Sequence, residues 1–152
     1  GGQVVVSGNK AAVERAVDIA KSKGAKRAML LQVSAPFHCA LMQPAADAMA
    51  QALAQVTIKP PVVSVVSNVL AKPVNDPAEI VRALVAQVTG TVRWRESVIA
   101  MAAAGVKTFY EAGAGKVLSG LVKRIAEGVS ATAIGTPDDI AAFKAARAAQ
   151  AS

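Results

Sequence analysis

The chain has 152 residues, of which 53% are hydrophobic, 18% charged and 3% aromatic, and its formal charge is +7 from 17 Lys and Arg against 10 Asp and Glu. This is one domain or part of one, rich in Ala and Val, and it implies either a large core or apolar surface buried against a partner. No stretch is long and apolar enough to span a bilayer, the start lacks the pattern of a signal peptide, and the dispersed cations lack the interleaved aromatics of a nucleic-acid surface.

The positive balance favours an acidic partner, and a single cysteine, Cys39, excludes an internal disulfide and suits a reducing cytoplasm. In chain order, Gln3 to Ser7 reads as a strand, with Asn9 as the N-cap of a helix over 10–23 that Gly24 stops. Arg27 to Val33 reads as a second strand, which predicts a strand–helix–strand unit over the first 34 residues. After His38 a helix carries Leu41, Ala45, Met49 and Leu53 on one face, with Pro44 in its first turn. Val62 to Val66 is an apolar run expected of a strand buried on both faces, ended by Ser67-Asn68.

Asp76-Pro77-Ala78-Glu79 is a capping box opening a helix closed by Gly90, and Trp94 to Ala104 is the next helix. Lys107 to Glu111 reads as a strand, Ala112 to Gly115 as a tight turn, and Lys116 to Ile125 as a helix. Ala131 to Ile134 is a last strand, and Thr136-Pro137-Asp138-Asp139 caps the final helix. Alternating strands and helices predict an α/β fold with a largely parallel sheet.

Few residues here point to chemistry. Gly113-Ala114-Gly115-Lys116 is not a P-loop, since Val117 follows the lysine and Tyr110 stands where the first glycine is needed. A dinucleotide fingerprint fails at Leu118. One His and one Cys cannot build a tetrahedral metal site without carboxylates, which nothing in the sequence clusters beside them, and Cys39 is a poor partner for the adjacent His38, because neighbouring side chains diverge. His38 is the only histidine, and it stands where a strand hands over to a helix, a place where α/β sheets do their chemistry. A base needs a nucleophile, and no Gly-x-Ser-x-Gly elbow is present, so spacing alone leaves a structural and a catalytic histidine both open.

The run Val33-Ser34-Ala35-Pro36-Phe37-His38-Cys39-Ala40-Leu41-Met42-Gln43-Pro44-Ala45 resembles the histidine motif of the malonyl-CoA:acyl-carrier-protein transacylases of bacterial fatty-acid synthesis. Three more segments are similar in the same order: Gln3 to Gly8, Gln87 through Val92-Arg93-Trp94, and Glu111 to Ile125. Thr91 and Ala114 stand where the family has proline. The resemblance covers the carboxy-terminal half of the family; the amino-terminal half, with its serine elbow, oxyanion-hole glutamine and malonate-gripping arginine, has no counterpart in these residues.

That resemblance implies a partial hydrolase-like parallel sheet core over 38–152, and the second half of a ferredoxin-like small subdomain over 1–37. It implies a ping-pong transfer of malonyl from coenzyme A, through an acyl-serine, to the phosphopantetheine thiol of acyl carrier protein. His38 would be the base, oriented by the backbone carbonyl of Gln87. Phe37 and Asn68 would line the substrate pocket, and Phe37 would crowd an α-methyl branch. Arg27, Lys123 and Arg124 would dock the acidic carrier or the phosphates of coenzyme A. The implied partners are carrier protein, malonyl-CoA and the absent half, with no nucleic acid, no membrane, no metal and no permanently bound cofactor. These 152 residues alone would be inactive. A polyketide acyltransferase domain and a non-catalytic carrier-binding module are the competing readings.

Overall fold

The computed structural model describes residues 3–151; Gly1, Gly2 and Ser152, at the ends of the two spans expected above, lie outside them. The chain divides into two compact units, one running to Trp94 and one from Arg95 onward.

In the first unit, helix α1 spans Lys10–Ser22. Asn9 occupies its N-cap but its side chain makes no capping bond, whereas Gly24, at φ 86°, turns the chain out of the helix. The amide of Ala25 then donates to the carbonyl of Ala20, which closes the C-terminus. A 3₁₀ turn over Ala40–Met42 leads into α2 (Gln43–Leu53), with Pro44 in the first turn where a missing N–H costs nothing. A two-residue hairpin, β1 (Val65–Val66) antiparallel to β2 (Pro73–Val74), precedes α3 (Pro77–Thr89). Asp76 caps α3 by accepting from the amide of Glu79 at 2.8 Å. Helices α2 and α3 pack together, and among the described residues of this unit Ala46 and Val74 are the buried hydrophobic ones.

Three expected strands are corrected here. Residues 3–7 and 27–33 form no strand, and the run 62–66 is strand only at Val65 and Val66, in an antiparallel hairpin. That run is not buried either: Val62 is fully exposed and Val63 is 76% exposed. An extended segment becomes a strand only when a neighbour takes its hydrogen bonds. Among the described residues 3–7 and 27–33 have no such neighbour, and Val4, Val5, Leu31 and Val33 stand exposed on them.

In the second unit, α4 (Trp94–Ala103) begins at the division between the units and buries Ser97 and Val98. Strand β3 (Thr108–Ala112) pairs in parallel with β4 (Ser130–Ile134), in register from Thr108 opposite Ser130 to Ala112 opposite Ile134. Helix α5 (Val117–Ile125) is the crossover between them and packs on both strands. Val122 on α5 and Ala131 on β4 are buried. Helix α6 (Pro137–Ala151) closes the chain, its Phe143 ring meeting Tyr110 of β3 edge-on at 4.9 Å. The fold is mixed α/β, and among the described residues parallel pairing is confined to β3 and β4.

Candidate active site

His38 lies in a turn, not at the end of a strand, and the 3₁₀ residues Ala40–Met42 follow it. The turn is built by local bonds: the amide of Phe37 donates to Ala35, and the Cys39 thiol to the carbonyl of Pro36 at 3.1 Å. The sulfur of Cys39 is thus bonded within the turn. His38 has φ 60°, in the left-handed region that a residue with a Cβ enters at a cost of about 1–3 kcal/mol. Strain of that kind collects where the direction of a side chain matters.

What holds the ring is a helix end. Helix α3 stops at Thr89, and the amide of Gly90 returns to the carbonyl of Ala86, which leaves the carbonyl of Gln87 without a partner inside the helix. Nδ1 of His38 lies 2.8 Å from that oxygen. A carbonyl only accepts, so Nδ1 carries the proton and donates it. In the neutral ring, Nε2 then keeps its lone pair, and the exposed imidazole is a proton acceptor of fixed orientation. Forty-nine residues separate the two partners.

Gln87 is held a second time. The Asn68 side-chain amide donates to Oε1 of Gln87 at 3.0 Å, half-buried between the hairpin and α3. A cavity of about 70 Å³ lies there, with Asn68 and Gln87 in its wall. It is far too small for an acyl thioester. Phe37 is 44% exposed beside the histidine. A larger open hollow, about 520 Å³ between α1 and residues 28–30, shares no residue with this group. Among the described residues no cluster of His, Cys, Asp and Glu is suited to a metal, and no helix is long and apolar enough to cross a membrane.

Arg27 is exposed in the segment after α1, its Nε donating to the sulfur of Met29. In the other unit, Lys123 and Arg124 are exposed in the last turn of α5.

The glycine turn before α5 has a different use from phosphate binding. Gly113 and Gly115 take φ 130° and 102°, which only glycine adopts readily. The Glu111 carboxylate reaches over this turn to accept from the amides of Leu118 and Ser119 at 3.0 and 2.7 Å. The amide of Ser119, more than any other group, holds the Glu111 carboxyl below its ordinary value. Sequence reading missed this cap and the Asn68–Gln87 bond. Asp139 likewise caps α6, accepting from the amides of Gly135 and Thr136, chiefly the former, and its carboxyl is also lowered.

No protein-family model matches the chain. It is 51% identical over 141 residues to the malonyl CoA-acyl carrier protein transacylase of Salmonella typhimurium, covering 93% of this chain and 46% of that protein. To the enzyme of the same name from Bacillus subtilis it is 45% identical over 139 residues, covering 91% and 44%. Among solved structures, the acyl-carrier-protein S-malonyltransferase of Bartonella henselae matches with a TM-score of 0.83 at 53% identity, over 90% of this chain and 43% of that one. A malonyl-transacylase in complex with a type II PKS acyl-carrier protein matches with a TM-score of 0.82 at 45% identity, over 91% and 45%. The chain spans about half the length of the curated relatives it matches.

Proposed function

We propose that this chain, a homologue of the carboxy-terminal half of the malonyl CoA-acyl carrier protein transacylases, supplies the general base for moving a malonyl group from coenzyme A to acyl carrier protein. The observation that carries this is the bond from His38 Nδ1 to the carbonyl of Gln87, with the ring exposed. A hydroxyl from polypeptide beyond these residues attacks the malonyl thioester as Nε2 takes its proton. The tetrahedral intermediate collapses to a malonyl-serine ester, and the proton passes from Nε2 to the departing thiolate of coenzyme A. The carrier's phosphopantetheine thiol then gives its proton to Nε2, attacks the ester and frees the serine, which recovers that proton. A backbone carbonyl does here what a buried carboxylate does in a Ser-His-Asp triad: it fixes tautomer and orientation. Because that carbonyl ends α3, the negative pole of the helix faces the positive charge that the ring acquires during transfer.

The domain reading follows the same likeness. Residues 1–37 are the end of a ferredoxin-like small subdomain and 38–152 the remainder of a hydrolase-like core. The bare apolar segments on either side of α1 support it, since burying each of these side chains is worth about 1.5–3 kcal/mol to whatever chain covers it. Phe37, next to the base, crowds an α-methyl branch on the acyl group. Arg27, Lys123 and Arg124 meet the acidic carrier or the phosphates of coenzyme A. The thioester is substrate, the protein needs no metal or resident cofactor, and it works in the cytoplasm. The relative bound to a type II PKS carrier favours a second reading, transfer to a polyketide carrier by the same chemistry.

The test is His38→Ala in the intact enzyme, followed by malonyl loading of carrier protein. The rate falls by about 10²–10⁴-fold with the fold retained by circular dichroism. Loading at the normal rate overturns the assignment of the base.

A further inference from the structure

We propose that Asn68 is a positioning residue, holding Gln87 so that its carbonyl stays aimed at the imidazole; this rests on the reading of His38 as the base. A carbonyl in the last turn of a helix is a poor anchor by itself, because helix ends fray. Gln87 escapes this by being bonded at both ends: its main chain accepts from His38 and its side chain from Asn68. Asn68 in turn is not free to drift. Its own carbonyl accepts from the amide of Arg93 at 2.8 Å, and the guanidinium of Arg93 donates to the carbonyl of Leu70 at 3.1 Å. Inside the same turn the amide of Ala71 donates to Ser67, and Ala71 takes φ 53°. Loop, amide, helix end and imidazole therefore form one connected line.

The surroundings say what this polar pair is for. The cavity wall also carries Val65, Val66, Val74 and Ile80. Two apolar side chains of similar shape would fill such a place with no loss of stability, since a hydrogen bond brings little net gain over its hydration. What an apolar pair lacks is direction. An amide pair fixes the rotation of the Gln87 side chain and, through it, the last turn of α3.

Three variants of the intact enzyme test this by steady-state malonyl transfer and thermal melting: Asn68→Ala, Asn68→Asp, and Asn68→Asp combined with Gln87→Glu. Asn68→Ala lowers kcat about tenfold while KM for malonyl-CoA holds, because the base is misaimed and not removed. Asn68→Asp recovers most of that loss, because Gln87 turns its amide over and donates to the new carboxylate. In the double variant two carboxylates face each other, and kcat falls well below that of Asn68→Asp alone. The proposal fails if Asn68→Ala raises KM and spares kcat, which would make Asn68 a substrate contact. It fails equally if kcat tracks melting temperature across the three variants, which would make the pair merely structural. The two readings separate cleanly: His38→Ala at the normal rate removes the base, whereas an inactive His38→Ala beside a fully active Asn68→Ala removes only the role of Asn68.

Discussion

Gly90→Ala changes one methyl at the end of α3. A Cβ at that position would stand 2.8 Å from the carbonyl oxygen of Ala86 and 3.0 Å from Cγ2 of Val69. The first contact is with backbone that already accepts the amide of Gly90 at 2.9 Å, so it cannot move aside without breaking that bond. The backbone angles, φ −88° and ψ 159°, suit alanine, so the penalty is contact and not conformation. Crowding of this kind costs about 1–3 kcal/mol. The stiffer unfolded chain returns about 0.4–1 kcal/mol. The net expectation is a loss of about 1–2 kcal/mol, read as a lower urea midpoint at unchanged slope. The relieved helix end carries the Gln87 carbonyl with it, so malonyl loading drops in the same variant. A Gly90→Ala enzyme that is more stable than the parent would refute the packing described for this helix end.

Glu111→Gln tests the cap over the glycine turn. Its carboxyl is held low, so the folded state binds this proton less tightly than the unfolded state, and stability is present above the ordinary value of 4.5 and lost as pH falls through the lowered one. The variant flattens the acid limb of urea midpoint against pH, the limb left over belonging in part to Asp139; an unchanged limb refutes the cap. Phe37→Ser relaxes the choice between malonyl- and methylmalonyl-CoA in direct competition by about tenfold, the scale of one methyl group, and an unaltered ratio removes Phe37 from selectivity.

Helices were readable because each carries its own bonds and its own punctuation. Asp76 and Thr136 marked starts that the structure keeps, and Gly24 and Gly90 marked ends. Strands were readable only where a partner lies in these residues. Lys107 to Glu111 and Ala131 to Ile134 found each other, whereas Gln3 to Ser7 and Arg27 to Val33 have the right composition and no neighbour. The same locality limited the site. Position drew attention to His38, but only the resemblance linked it to Gln87, 49 residues away. Asn68 was expected at the pocket, and its bond to the side chain of Gln87 leaves no local trace, for neither residue signals the other across 19 positions. Glu111 caps a helix from seven and eight residues upstream, beyond the reach of any capping rule that looks three residues ahead.

That long-range cap has a practical corollary for anyone redesigning the segment between β3 and α5. The helix is clamped by a side chain outside the loop, so the loop has no need of a rigid middle. The two flanking glycines are the parts where exchange brings strain, since other residues rarely adopt their backbone angles. The centre of the loop is therefore the natural insertion point for a label or a graft, provided Glu111 travels with it.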